Sequence, residues 1–235
     1  MKPAAKKIEK GPGAAKSARD EAVALVTGFD AFGGDRLNPS QEIAHALDGA
    51  IIAGHRIVGA TLPTEFARAL PALDALLVRH KPALVLALGL AGGRSELALE
   101  RVAVNLIDAR IADNAGAQPV DVRIVENAPN AYFSTLPVKA MLARLRKAGI
   151  PATLSLSAGS FVCNQVFFGL AHALATRHPR ARGGFLHVPS LPEQAARLPG
   201  TPSMALETMI EGVRLCLQVA LTTREDARYA AGSTH

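Results

Sequence analysis

Cys163 is one of only two cysteines in 235 residues. It stands where the alternating run ATLSLS gives way, through a turn containing Gly159, to a helical pattern that begins VCNQVFFGL. A thiol at the start of a helix meets free backbone amides and the positive end of the helix dipole, which favour the thiolate and lower its pKa. On that reading Cys163 is a nucleophile. Cysteine also serves as a small buried hydrophobe, a role that suits Cys216 inside the apolar face of a later helix. His187 tips the balance for Cys163. It ends the apolar run GGFLHV, the next strand after the cysteine's helix, so strand-helix-strand geometry sets thiol and imidazole along one edge of a sheet. A neutral imidazole there takes the thiol proton and hands it to a leaving amine. Such an imidazole is usually oriented by a carboxylate. Glu96, Glu100, Asp108 and Asp113 all follow the run ALVLALGL, and spacing alone does not choose among them.

Other chemistries find little support. The remaining histidines, His45, His55, His80, His172, His178 and His235, form neither HxH nor HExxH, and the two cysteines form no CxxC. No metal or cofactor is therefore expected. GFDAFGGD, Gly28 to Asp35, follows an apolar run but lacks the GK[ST] of a phosphate loop and does not match GxGxxG. Its acidic end disfavours phosphate, whereas Phe29 and Phe32 offer an apolar wall or core packing. The formal charge is +6, of which +4 falls on residues 1–20. The rest is nearly balanced and carries no basic run interleaved with aromatics, so nucleic acid is not an expected partner. No apolar run reaches bilayer length and the start lacks a secretory h-region. A cytoplasmic protein with two reduced thiols and no membrane partner is expected.

The elements that must position these residues alternate between strand and helix. VALVTGF (Val23–Phe29), RIVGATL (Arg56–Leu62), ALVLALGL (Ala83–Leu90), ATLSLS and GGFLHVP read as strands, ALVLALGL as a central parallel one. Asn38 predicts an N-cap, with Pro39 at N1 and Gln41 at the capping-box position, for a helix to about Leu47. Thr64 is the expected cap of TEFARALPALDALLVRH, and further helices cover VKAMLARLRKAG, the cysteine's segment and a last one from near Ser203. Alternation of this kind predicts one α/β domain over residues 21–222, with a mostly parallel sheet between helices and its ligand crevice at the carboxyl ends of the strands. Ala91–Pro137 is expected to form a lobe over that crevice. Residues 1–20 read as a basic flexible extension and 223–235 as a frayed tail.

Four separated segments fit one pattern: VTGFDAFGG with NPS at Asn38, AGGRSELALERVAVNLIDARIADNAGAQP, SAGSFVCNQVFFGL and GGFLHVPSLPEQ. Together they resemble the pyroglutamyl peptidase I family over roughly Ala22 to Leu221. The resemblance implies a three-layer α/β/α domain with a twisted mixed sheet and a metal-free cysteine exopeptidase that cleaves after an N-terminal pyroglutamyl residue of peptides. It implies catalytic roles for Cys163, His187 and Glu100, with Arg110 at the oxyanion. Phe29, Phe32, Asn38, Leu90, Ile111, Phe161 and Val162 would line the lactam pocket, since a compact lactam without an ammonium group calls for apolar walls and few hydrogen bonds. A homo-oligomer, dimer or tetramer, is implied as well. The chain departs from the family at Leu90, where Gln is usual, at Ala112 in place of Pro and at Ser190 in place of Tyr. A related amide or lactam hydrolase and a noncatalytic small-molecule-binding protein are the alternative readings.

Overall fold

The computed structural model describes residues 22–232; the predicted basic extension, residues 1–20, lies outside them. The chain runs β1 (Val23–Phe29), α1 (Pro39–Leu47), β2 (Ile51–Ile52), β3 (His55–Leu62), α2 (Phe66–His80) and β4 (Leu84–Leu90). It continues through β5 (Leu97–Glu100), β6 (Val102–Val104), β7 (Ala131–Phe133), α3 (Val138–Lys147) and β8 (Ala152–Ser155). It ends with α4 (Val162–Thr176), β9 (Arg182–Val188), α5 (Pro192–Ala195) and α6 (Leu206–Thr222). Seven strands form one sheet in the order β2-β3-β1-β4-β9-β5-β8, and β6 pairs with β7 in a separate ribbon.

The centre of the sheet, β1, β4 and β9, is parallel, as the continuous apolar run of β4 predicts. Alternate side chains of those strands enter two cores. Leu84, Leu86, Leu88, Leu186 and Val188 pack with α1, α3 and α6, whereas Leu25, Val85, Ala87 and Phe185 pack with α2 and α4. The result is a three-layer α/β/α domain. Among the described residues no helix is long and apolar enough to cross a membrane.

One topological expectation fails. Strand β5 inserts between β8 and β9, antiparallel to β9 and parallel to β8, so β8 and β9 are neither neighbours nor parallel. The thiol and imidazole are therefore not brought together by a simple strand-helix-strand unit. The segment after β8 instead crosses back, placing the start of α4 at the carboxyl end of β4.

Capping is also less local than the sequence suggests. Asn38 caps α1 as expected, its Oδ1 accepting from Ser40 N at 3.1 Å. Gln41 closes no capping box with Asn38; its Nε2 donates to Thr61 Oγ1. Thr64 does not cap α2 either. Glu65 is the N-cap and makes no side-chain cap bond, while Asp113 accepts from Phe66 N at 2.7 Å from 47 residues away. Thr64 turns to the Asp30 carboxylate at 2.7 Å. Residues 223–232 are likewise held rather than frayed: Asp226 accepts from the amides of Lys139 and Ala140 at the start of α3, and Tyr229 Oη donates to Lys139 O. Helix α3 has no side-chain cap of its own, so the tail supplies it.

Candidate active site

Glu100 closes β5, whose four residues LALE are all buried. Its carboxylate is fully buried, and a charge taken out of water must find partners. Register provides one. Glu100 pairs with Phe185 and Ala98 with His187, so Glu100 and His187 are diagonal neighbours on one face of the sheet. His187 Nδ1 bonds Glu100 Oε1 at 2.8 Å, which leaves Nε2 as the nitrogen able to exchange a proton. The Phe185 ring packs against the imidazole with centroids 4.9 Å apart.

On its other side His187 pairs with Gly89 of β4. A Cβ at Gly89 would lie 2.8 Å from Cys163 Sγ and 2.8 Å from Phe185 Cζ. The missing side chain is the space in which the thiol rests, next to the imidazole's strand position. Cys163 is the second residue of α4, so its amide N–H has no acceptor within the helix. That first turn is anchored by its next two residues. Asn164 Nδ2 donates to the carbonyls of Val104 and Leu106, its Oδ1 accepts from Val104 N, and Gln165 Nε2 donates to Phe66 O. Both side chains are buried. The pair's signal in the sequence is two consecutive amides in the first turn of a mostly apolar helix.

The thiol's electrostatics reverse the expectation drawn from the helix end. Burial, followed by the negative charge of Glu100, pushes the Cys163 pKa up to about 12, against a smaller lowering by its own backbone N–H. Desolvation and a neighbouring carboxylate thus outweigh the helix terminus. The raised pKa disfavours a standing thiolate at neutral pH. The arrangement suits a thiol that loses its proton to the imidazole as its sulfur attacks.

The thiol opens onto a pocket of about 150 Å³ at the carboxyl ends of the strands. Phe29, Phe32, Asn38, Leu90, Phe161 and Val162 line it together with Cys163. Phe161 lies 5.4 Å from Phe32 and 5.0 Å from Phe66 between ring centroids, which fixes the wall where α4 begins. Asn38 turns its amide inward, accepting twice from Ser40 and donating to Asp30 O. Asp35, Leu37 and Thr64 complete the lining and escaped the sequence reading. Arg110 and Ile111 do not line it; Ile111 is 45% exposed, and Arg110 is exposed with no ion pair among the described residues. No group of three or more His, Cys, Asp or Glu that could hold a metal occurs among the described residues.

Comparison with known proteins shows the family. A family model described as pyroglutamyl peptidase matches residues 22–223. Pyrrolidone-carboxylate peptidase 1 of Ralstonia nicotianae is 54% identical over 211 residues, covering 90% of this chain and 98% of the relative. The crystal structure of pyroglutamyl peptidase I from Bacillus amyloliquefaciens superposes with a TM-score of 0.87 at 40% identity, covering 89% of this chain and all of that one. Pyrrolidone carboxyl peptidase from Thermococcus litoralis gives 0.86 at 43% identity, covering 89% and 99%. A family model that spans nearly the whole described chain, with relatives of this identity and coverage, means that the chain belongs to the pyroglutamyl peptidase family.

Proposed function

We propose that this chain is a cysteine-type omega-peptidase that removes N-terminal pyroglutamate from peptides, with Cys163 as nucleophile, His187 as base and acid, and Glu100 orienting the imidazole. The observation that carries the proposal is the continuous series of pocket, thiol, imidazole and buried carboxylate around Gly89. The lactam ring enters between Phe29, Phe32 and Phe161, which sets the exocyclic carbonyl carbon that joins pyroglutamate to the next residue against Cys163 Sγ. As the C–S bond forms, the thiol proton passes to His187 Nε2. Glu100 disfavours charge on the sulfur but favours the imidazolium, so proton transfer is tied to the attack that moves negative charge onto the carbonyl oxygen. The Cys163 amide N–H receives that oxyanion, and Arg110, which has no ion pair among the described residues, is the second donor by resemblance to the family. His187 then protonates the leaving amine, the C–N bond breaks, and water activated by the same imidazole hydrolyses the thioester to free pyroglutamate. The finer parts of the proposal are a cytoplasmic setting, which keeps Cys163 and Cys216 reduced, and assembly as a dimer or tetramer.

Release of a fluorogenic amine from a pyroglutamyl conjugate tests the activity, with prolyl and glutamyl conjugates as comparisons. We expect turnover of the pyroglutamyl conjugate alone and its loss in Cys163→Ala. Full turnover by Cys163→Ser, or equal turnover of the prolyl conjugate, would refute the assignment. Light scattering tests the assembly.

A further inference from the structure

Glu100 Oε1 receives a second group besides the imidazole: Arg94 Nη1 lies 3.4 Å away. The two side chains differ sharply in setting, Arg94 being 37% exposed and Glu100 fully buried. Arg94 is placed by the turn after β4, where Gly93 has φ +87° and Arg94 N bonds Ala91 O. Glu100 Oε2 is buried and has no hydrogen-bond partner among the described residues. While His187 is neutral, Arg94 is therefore the one cation paired with this carboxylate among the described residues.

We propose that Arg94 is a positioning residue that acts through Glu100, keeping the carboxylate aimed at His187 and offsetting part of its negative field at the imidazole and thiol. The inference rests on the proposed catalytic set. Arg94 lies outside the lining of the substrate pocket and borders a separate cavity of about 540 Å³ with Leu154, Leu156 and Ala231. It does not reach the lactam and acts on the proton-transfer groups.

Few other charges face this set. Strands β4 and β8 carry none, and β9 adds only Arg182, which donates to the carbonyls of Ala220 and Thr223. Helix α4 contributes Cys163 itself and His172, which bonds Tyr132 Oη. The charges of α3 and α6 lie on helices packed against the opposite face of the sheet, where Leu97 and Leu99 point. Glu96 and Arg101 flank β5 and border the same separate cavity as Arg94. Removal of Arg94 thus leaves Glu100 without its paired cation, and a proton anywhere in the Glu100, His187 and Cys163 set is held more tightly.

Two readouts test this: the pH profile of kcat/KM and the pH dependence of Cys163 alkylation by iodoacetamide, for wild type, Arg94→Met and Arg94→Lys. In Arg94→Met the acid limb should move up by about half a pH unit, the shift being small because Arg94 is partly solvated. Alkylation at pH 8 should slow about threefold, the same shift read as a rate. KM should stay within about twofold, since the pocket lining is untouched. Arg94→Lys should restore the limb. An unmoved limb with unchanged alkylation overturns the proposal. So does equal loss of activity in both variants with a lowered melting temperature and an unmoved limb, the signature of a merely structural arginine. A wild type that releases no amine from the pyroglutamyl conjugate refutes the peptidase reading, while the alkylation series still decides the role of Arg94.

Discussion

Replacing Gly89 by alanine tests the site at the one position where its parts converge. The new Cβ would meet Cys163 Sγ and Phe185 Cζ, each at 2.8 Å. Non-bonded heavy atoms settle at roughly 3.5–4.0 Å, so sulfur, ring or strand must give way by about 1 Å. Each escape disturbs the reacting pair. Moving the sulfur displaces the nucleophile, and moving Phe185 shifts the ring against which His187 packs at 4.9 Å. Misplacement by about 1 Å lowers a reaction that depends on alignment by about a hundredfold, a barrier increase of about 2.7 kcal/mol. Overpacking should also lower stability by about 1–3 kcal/mol. None of Phe29, Phe32 and Phe161 is among the atoms nearest the added methyl, so KM should change less than kcat. The assay is steady-state release of a fluorogenic amine from a pyroglutamyl conjugate, with a urea titration to show that the variant is folded under assay conditions. A folded Gly89→Ala protein that keeps more than half of the wild-type kcat would mean that the thiol does not work from the place above Gly89, and the geometric argument would fail.

Two more outcomes follow from the thiol's surroundings. Glu100→Gln should cut kcat/KM by about a hundredfold or more, because the imidazolium loses its carboxylate; yet Cys163 should alkylate faster near pH 9, since a charge that raises the thiol pKa is gone. Turnover and alkylation falling together would contradict this account of Glu100. Burial raises the pKa of both thiols, that of Cys163 to about 12 from 9.0. The folded state therefore holds these protons more tightly than the unfolded chain, and the associated stability, complete below about pH 9, is lost as pH rises toward 12. Melting temperature measured across that window should fall less steeply in Cys163→Ser than in wild type, and identical slopes would count against a raised thiol pKa.

The contrast between what was legible and what was not follows the range of the forces involved. Strands β1, β4 and β9 announce themselves because a strand buried on both faces is mostly apolar, and α1 because Asn38 and Pro39 satisfy its start from adjacent residues. Cys163 and His187 stand out because rare reactive side chains interrupt such runs at their ends. Glu100 does not stand out. Spacing leaves it level with Glu96, Asp108 and Asp113, and only register with β9 makes a fully buried carboxylate tolerable there. Arg94, Asp113 as a remote cap and Asp226 at α3 are hidden for the same reason, since each acts on a partner placed by the tertiary fold.

The thiol shows the consequence for mechanism. Its position at a helix start is a local property and was readable, but the sign of its pKa shift is not local. The helix terminus acts through partial charges on a few amides, whereas packing around the sulfur and its nearness to Glu100 act through a desolvation penalty and a full charge. The larger, nonlocal effects win. A nucleophile with a raised pKa cannot rely on a resting thiolate, so it needs a base whose charged form is stabilised at the moment of attack. The same carboxylate that disfavours the thiolate supplies that stabilisation through His187 Nδ1. Glu100 thus joins two opposing effects in one residue, and the protein's reactivity depends on the difference between them rather than on either alone.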